Sequence, residues 1–363
     1  MRLIFVAPGA RAPWTEGRKN LVRDLSRELQ NRGNTIDLIS GRSSSSQALL
    51  MLSALVTLAR GIRKEGPDVV VLFPFGRFSR WRGAANRAFC WAVASLARLA
   101  GKPLLVALYS VDGLTLTSMP RVFGHVAAVG LQRAGVHPLR LGIEVPAPIH
   151  APVRSSRTRA LFLCGYQSPT PGAIASLLDE RGLRRLLLAC AKLDAESMEL
   201  VIAIPMLINA RFRNQLSALA SEICPETVIT YVSDIEPRQA LATHDLFIFP
   251  YVTEHEVFIP TSMLEAMTIG VPVVATDRLM YQSLTRLNGV ERCILAREDN
   301  TNGLAHALHE HLADPQRAER LASSTRQAVL ASWTIEGSAD DLLAAVGSAM
   351  RGRQGRRREP LRT

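Results

Sequence analysis

The segment from Phe249 to Asp277 carries side chains whose types and spacing suit a phosphorylated ligand. A short apolar run leads into a polar loop, and Pro260 then marks the start of a helix with Thr261 and Ser262 in its first turn. The first turn of a helix points backbone N–H groups outwards, and the helix dipole is positive there. Glu265 follows one turn later with a carboxylate that can accept hydrogen bonds from two neighbouring hydroxyl groups. The pattern predicts a diphosphate at the helix N-terminus and a ribose beside Glu265.

The same segment contains a dense sequence motif. Its members are Pro250, Glu254, Leu264-Glu265-Ala266-Met267, Gly270 and Pro272-Val273-Val274-Ala275. With these residues the segment resembles the donor site of the retaining glycosyltransferases of the GT-B fold, in particular family 4 (glycosyl transferases group 1). That family usually sets its two glutamates eight residues apart, whereas Glu254 lies eleven and Glu256 nine residues before Glu265. It therefore stays open which of Glu254 and Glu256 meets the donor sugar.

The resemblance implies an α/β protein in which two Rossmann-like, doubly wound parallel-sheet domains face a cleft. It implies transfer of a sugar from a nucleotide-diphosphate donor, a UDP-sugar first of all, to an acceptor hydroxyl with retention of configuration. In this class no cofactor or metal is needed, and the leaving phosphate oxygen takes the acceptor's proton. Glu265 is then expected to hold the ribose, Thr261 and Ser262 the diphosphate, and Glu254 the sugar hydroxyls as a catalytic group, with Glu256 as its alternative.

Further matches lie in the predicted second domain. Gly165-Tyr166 follows a strand pattern and stands where the family has a glycine and an arginine, and Arg181-Gly182 stands where it has a lysine and a glycine. Gly165 is thus a donor-site candidate, and Arg181 is expected to bind the diphosphate, since a guanidinium contacts phosphate through two N–H groups. Tyr231-Val232-Ser233 resembles the segment whose backbone reads the nucleotide base.

The predicted first domain offers two groups of candidates. Gly17, Arg18 and Lys19 precede the helix of a βαβ unit, and in the family such a glycine-bearing loop faces the interdomain cleft; a solvated first turn is the alternative. Tyr109 ends a later strand, where the family often has a histidine that touches the donor sugar or the acceptor. Asp112 is the nearby carboxylate. Tyr109 and Asp112 are therefore candidate catalytic residues, although a tyrosine at a strand end also suits packing.

The composition is that of a folded chain with more than one domain. The 363 residues exceed a usual single core, and 47% hydrophobic with 21% charged residues is typical of globular proteins. The net charge of +11 fits a phosphorylated ligand or an anionic membrane surface. Nucleic acid ranks last, because the basic residues form no motif with interleaved aromatics. Five scattered cysteines without a CxxC pair indicate buried thiols in a reducing compartment.

Alternating strand and helix patterns divide the chain into four parts. Residues 1–150 are expected to form an acceptor-binding domain and residues 151–335 a nucleotide-sugar-binding domain. A helix at 336–350 crosses back to the first domain in the resembling family, and residues 351–363 form a basic tail for which disorder or contact with anionic lipid is expected. A predicted helix at 47–64 places Leu49, Leu52, Leu55, Val56 and Ala59 on one apolar stripe.

Two other classes of protein stay open. A sugar-nucleotide 2-epimerase would share the fold and need a histidine and carboxylate cluster, for which His244 and His255 are the candidates. A non-catalytic sugar-nucleotide binder is the second class. It would explain why Tyr166 replaces the family's arginine, why Tyr109 replaces its histidine, and why the glutamate spacing is altered. His244 and His255 lack the spacing of a metal pair on one helix and no DxD motif is present, so no metal site is predicted.

The sequence contains neither a signal-peptide pattern nor an apolar stretch of about 20 residues. The expected location is the cytoplasm, with peripheral attachment at the inner face of the membrane and a role in cell-surface polysaccharide or glycoconjugate synthesis.

Overall fold

A computed structural model describes residues 1–8, 10, 17–41, 47–74, 80–108, 110–111, 125–129, 136–142, 156–165, 169–234, 236–252, 257–258, 260–278, 281–287 and 289–358. The chain divides into two compact units. Unit 1 comprises Met1–Glu144, His255–Ile259 and Trp333–Thr363, and unit 2 comprises Val145–Glu254 and Pro260–Ser332.

The strands and helices alternate along most of the chain. The strands are β1 (Arg2–Val6), β2 (Thr35–Ile39), β3 (Val69–Leu72), β4 (Leu104–Leu108), β5 (Ser110–Val111), β6 (Val126–Val129), β7 (Val136–Leu139), β8 (Thr158–Leu163), β9 (Met198–Ala203), β10 (Val228–Val232), β11 (Leu246–Phe249), β12 (Val257–Phe258), β13 (Val273–Thr276), β14 (Arg286–Leu287), β15 (Val290–Glu291) and β16 (Ile294–Ala296). The helices are α1 (Gly17–Asn31), α2 (Gln47–Glu65), α3 (Arg80–Leu99), α4 (Pro171–Ala175), α5 (Leu183–Cys190), α6 (Ala210–Ile223), α7 (Pro237–Ala242), α8 (Thr261–Ile269), α9 (Gln282–Thr285), α10 (Thr301–Ala313), α11 (Pro315–Ser332) and α12 (Ile335–Arg358).

Unit 1 is built on a six-stranded parallel sheet in the order β2-β1-β3-β4-β6-β7. Its central strands β1, β3 and β4 are almost wholly buried apolar runs, which is typical of parallel sheets covered on both faces. Helices α2 and α3 pack on one face and share one apolar core with the sheet. The short strands β5 and β12 pair antiparallel within the same unit.

The C-terminal helix α12 belongs to unit 1 and contacts β4, β6, β7 and α1. Arg140 donates two hydrogen bonds to the Asp341 carboxylate, at 2.8 and 2.9 Å. The Gly142 N–H donates to the Ser338 hydroxyl at 2.5 Å. The helix continues to Arg358, eight residues beyond its expected end at residue 350, so residues 351–358 are helical instead of disordered. Arginine is a good helix former, and cations are favoured near a helix C-terminus, which accounts for the extension.

Helix α2 buries a different face from its predicted apolar stripe. The core-facing residues are Leu50, Met51, Ala54, Leu58 and Ile62. From the predicted stripe, Leu49, Leu52 and Val56 are 60%, 57% and 45% exposed. The helix is apolar on both sides over its first turns, so periodicity alone selected the wrong face.

Unit 2 is built on a second six-stranded parallel sheet, in the order β10-β9-β8-β11-β13-β16. The strand order reverses between β8 and β11, which are paired in parallel. This is the order of a dinucleotide-binding sheet, in which ligands bind at the carboxyl ends of the strands beside the reversal. The prediction of an α/β protein with two Rossmann-like parallel sheets is confirmed.

The five cysteines are all buried and unpaired, as the sequence predicted. Burial raises the pKa of the Cys90 thiol to about 12, so this thiol stays protonated and unreactive. Within the described helices, none combines the length and the apolar character that crossing a bilayer requires.

Candidate functional site

The carboxyl ends of β8 and β11 in unit 2 meet at one edge of the sheet. Gly165 follows β8 and is exposed, and Pro250 and Tyr251 follow β11. Because β8 and β11 lie on either side of the strand-order reversal, the residues after them occupy the usual ligand position of such a sheet.

Helix α8 brings its N-terminus to this part of unit 2. Pro260 precedes the helix in an extended conformation and makes no side-chain capping bond. Hydrogen bonding within the helix begins at Leu264, whose N–H donates to the Pro260 carbonyl at 3.0 Å. The N–H groups of Thr261, Ser262 and Met263 precede that bond, and none of them has an acceptor among the residues described. This turn therefore offers the backbone donors and the positive dipole end that a phosphate requires.

Glu265 is a buried carboxylate on α8, with 9% of its surface exposed. Its Oε1 lies 3.6 Å from Nε of Arg238, on the first turn of α7. All residues from Met263 to Ile269 are buried, so packing fixes the helix that carries Glu265. A buried carboxylate needs charged or hydrogen-bonding partners, and Arg238 supplies one of them. Arg238 was not predicted from the sequence, because no motif or spacing links α7 to Glu265.

Arg181 lies against an aromatic stack at the end of β11. Its guanidinium carbon is 4.3 Å from the centroid of the Tyr251 ring. Tyr251 stacks in turn on Phe249, with the ring centroids 4.2 Å apart and the planes 10° from parallel. A guanidinium over an aromatic face is held in place while its N–H groups keep their donor geometry. The contact with Tyr251 fixes Arg181 beside the β11 loop.

Gly182 allows this close contact between Arg181 and the β11 loop. Its φ angle is +74°, and a Cβ atom built there would lie 1.8 Å from the carbonyl oxygen of Pro250. The Val252 N–H donates to the Glu180 carbonyl at 3.0 Å on the other side of the contact. Only glycine fits both the left-handed backbone and the space available.

The Tyr251 carbonyl is anchored by buried polar side chains. It accepts hydrogen bonds from the Thr276 hydroxyl at 2.6 Å and from Nε of Arg278 at 3.2 Å. Arg278 is only 4% exposed and also donates a hydrogen bond to the Asp299 carboxylate. The same carboxylate accepts a hydrogen bond from Arg185. Burial acts to raise the pKa of Asp299, but the hydrogen bonds from the two arginines outweigh it and the pKa lies below its ordinary value. These bonds hold the loop that presents Tyr251 to Arg181.

Most of unit 2, including most of this site, is similar to a known protein family. A family model described as "Glycosyl transferases group 1" matches residues 168–314. Residues 168–314 are therefore similar to a group 1 glycosyltransferase domain, and this range is called the group 1 domain. The matched range contains Arg181, Tyr231, Arg238, Tyr251 and the whole of α8. No significant match was found among curated proteins.

Solved structures extend the comparison to nearly the whole chain. A glycosyltransferase from Rickettsia africae matches with a TM-score of 0.71 at 14% identity, covering 96% of this chain and 98% of the other. Anabaena Alr3699/HepE in complex with UDP and glucose matches with a TM-score of 0.69 at 12% identity, covering 96% of this chain and 100% of the other. Sucrose-phosphate synthase from Thermosynechococcus elongatus matches with a TM-score of 0.68 at 14% identity, covering 97% of this chain and 99% of the other. At these identities the likeness shows the fold, which is GT-B as predicted.

Within the group 1 domain, the side chain of Tyr231 lies on the face of the sheet that the apolar core covers. It is half-buried and packs against the apolar core. Burial raises the pKa of its phenol, which a hydrogen bond with Ser217 on α6 partly offsets. The expected contact with a nucleotide base was one of the backbone, and this stays a prediction.

The remaining candidates divide into two groups. Gly17, Arg18 and Lys19 are the first three residues of helix α1 in unit 1, whereas the sequence predicted that they precede the helix. The other candidates lie outside the described residues: Tyr109, Asp112, Glu254, Glu256 and His255.

His311 is expected to make the stability of the group 1 domain depend on pH. It is 3% exposed on α10, and its Nδ1 has no partner among the described residues. Burial lowers its pKa to about 4, although the negative charge of Asp245 acts to raise this pKa. The unfolded chain therefore takes up a proton below about pH 6.5 that the folded chain takes up only near pH 4. The free energy of unfolding should fall as the pH is lowered through this window, by about 3 kcal/mol from His311 alone.

Urea unfolding between pH 7.5 and pH 4, compared with His311→Leu, checks this expectation. The variant should show a shallower decline, because its unfolded state has one protonation site fewer. His244 leaves a residual slope, since burial lowers its pKa as well. His309→Gln is the matched control, because His309 is exposed on the same helix and should leave the slope unchanged. Equal slopes in the native chain and in His311→Leu would refute the assignment.

Proposed function

We propose that this chain is a retaining hexosyltransferase that moves a sugar from a nucleotide-diphosphate donor to an acceptor hydroxyl. The observation that carries the proposal is Glu265, a buried carboxylate one turn into a helix whose N-terminal N–H groups have no acceptor among the described residues. A ribose at Glu265 and a diphosphate at Thr261 and Ser262 would use both features.

Arg181 is the proposed cation for the departing diphosphate. Negative charge grows on that leaving group in the transition state, and a guanidinium already fixed by Tyr251 stabilises it without reorganisation. With charge compensation from Arg181 and from the helix end, the reaction needs no metal ion and no cofactor. The catalytic carboxylate is Glu254 or Glu256, and Tyr109 and Asp112 are proposed to act from unit 1.

A UDP-sugar is the proposed donor. In its support, Anabaena Alr3699/HepE was solved with UDP and glucose and also with UDP-glucose. The proposed product is a cell-surface polysaccharide or glycoconjugate, made on the cytoplasmic side of the membrane from an acceptor that can be lipid-linked. The net charge of +11 fits such a phosphate-rich setting.

Turnover of UDP-sugars by the purified chain tests the proposal. Slow release of UDP without an acceptor should be measurable, and Arg181→Gln should lower its kcat about 100-fold because the developing charge loses its partner. Arg181→Lys should restore part of the rate. Arg184→Gln is the matched control, since Arg184 lies one turn away and its 46% exposed side chain pairs with Asp179.

The outcomes separate the alternatives. Binding of UDP-sugars without turnover across many acceptors would favour a non-catalytic binder, for which Tyr166 in place of the family's arginine is the supporting observation. Isomerised sugar nucleotide without acceptor would indicate a 2-epimerase. Against that class, His244 is buried and its Nδ1 lies 2.6 Å from the Ala240 carbonyl oxygen. Equal losses in Arg181→Gln and Arg184→Gln would overturn the role of Arg181.

A further inference from the structure

Helix α2 in unit 1 has an outward face that is apolar at one end and cationic at the other. Leu49, Leu52 and Val56 are 60%, 57% and 45% exposed, and Arg60 and Arg63 continue the same exposed stripe. At ~100° per residue these five positions fall within an arc of about 80°. Single exposed apolar residues need no explanation, but three on one stripe form a patch.

Helix α3 continues this surface. It packs beside α2 on the same face of the sheet, and the two helices share one core. Trp91 is 51% exposed and Leu99 is 86% exposed. Arg87 and Arg98 are exposed as well, and they lie on the same stripe of α3 as Trp91. The two helices together present large apolar side chains among arginines.

The stretch of sequence that contains these two helices carries charges that are almost all positive. From residue 38 to residue 111 the sequence has ten lysines and arginines against two carboxylates, Glu65 and Asp68. Helix α3 contains no carboxylate. An ordinary solvated surface mixes charges of both signs, whereas this stretch supplies most of the chain's net charge of +11.

We propose that this basic-apolar face docks on an anionic lipid bilayer. The face is defined by nine residues: Leu49, Leu52, Val56, Arg60, Arg63, Arg87, Trp91, Arg98 and Leu99. The apolar side chains enter the boundary between headgroups and acyl chains, the arginines pair with lipid phosphates, and the indole lies at the interface.

The chemistry of the face favours a bilayer over other occupants. A second copy of the same face would bring arginine against arginine, which repels. Nucleic acid would use the arginines but leave the leucines and the valine in water. The proposal does not depend on the proposed donor chemistry, because none of its residues belongs to the donor site in unit 2.

Sedimentation of the full chain with lipid vesicles tests the proposal. Vesicles of phosphatidylcholine alone are compared with vesicles that contain about one-third phosphatidylglycerol. The chain should sediment with the anionic vesicles only, and Arg60→Gln with Arg63→Gln should weaken the partition about 25-fold, or fivefold for each arginine. Leu49→Ser, Leu52→Ser and Val56→Ser together should weaken it tenfold or more. Raised salt should weaken binding of the native chain but change the partition of the double arginine variant less.

Matched controls lie on unit 2. Ile208→Ser with Val290→Ser removes apolar residues that are 82% and 55% exposed, and Arg211→Gln with Arg320→Gln removes two exposed cations. These controls should bind vesicles like the native chain. All altered positions are exposed, and an unchanged melting temperature shows that each variant is folded.

Three results would overturn the proposal. The first is equal sedimentation with neutral and anionic vesicles. The second is a loss in the unit 2 controls that equals the loss in the α2 variants. The third is self-association of the native chain, abolished by the triple variant, with no vesicle binding, which would assign the face to a contact between copies.

Discussion

Replacing Glu265 by glutamine is expected to weaken the binding of a UDP-sugar about 30-fold, or ~2 kcal/mol, because hydrogen bonds to a charged acceptor are worth about 1.5–3 kcal/mol. Glutamine keeps the volume of the buried side chain and removes its charge. The ribose hydroxyls lose an acceptor that takes both of them, and Arg238 loses the anion 3.6 Å away. Titration calorimetry with UDP and with a UDP-sugar measures the change.

Two controls separate the loss of binding from damage to the fold. Glu222→Gln makes the same chemical change at an exposed position on α6 and should leave the affinity unchanged. The melting temperature of Glu265→Gln without ligand shows whether the buried helix α8 is intact. An unaltered affinity in a folded Glu265→Gln would count against the whole assignment of the donor site.

Replacing Gly182 by alanine is expected to destabilise unit 2 by about 3–4 kcal/mol. Roughly 1–2 kcal/mol comes from the left-handed backbone at φ +74°, and the rest from displacing the Pro250 carbonyl, which a Cβ atom would approach to 1.8 Å. Turnover should fall as well, because Arg181 and Tyr251 lie on the two segments that the new methyl group separates.

Gly289→Ala is the matched control for the strain alone. Gly289 has a φ of +77° in the same unit, but no atom of the described residues lies within 4 Å of a Cβ atom built there. Its cost should therefore be only the backbone part, about 1 kcal/mol. Urea unfolding of both variants gives the difference. Equal costs in the two variants would show that the contact between Gly182 and Pro250 is absent in solution.

The sequence predicted most of the fold because its local patterns agree with one another. The apolar runs of β1, β3 and β13 are short, bounded by turn residues and free of polar interruptions, so their assignment as buried strands had little competition. The start of the helix at 261–269 was recognised from Pro260, and Gly270 ends the helix with a φ of +88°.

The failures have physical causes that no local pattern contains. Helix α2 is apolar on both sides, and the sheet decides which side it buries by contacts that are distant in sequence. Helix α12 continues through residues 351–358 although they carry a run of positive charge, because helix propensity and the dipole favour arginine there.

The candidate donor site could be predicted as far as its motif extends. Thr261, Ser262 and Glu265 were proposed from the sequence because they lie within one turn of each other on one helix. Arg238 and Tyr251 were missed, because they reach Glu265 and Arg181 through the packing of α7 on α8 and of the β11 loop on the turn at Gly182. Contacts of this kind join separate segments, and spacing in one sequence does not encode them.

The central claim is that the Glu265 carboxylate holds the ribose of a bound nucleotide, and a chemical cycle tests it most directly. Calorimetry measures the affinities of UDP and of 2′,3′-dideoxy-UDP for the native chain and for Glu265→Gln. The account predicts that the native chain prefers UDP about 30-fold and that the variant binds the two ligands almost equally. An equal preference for UDP in both proteins would contradict it.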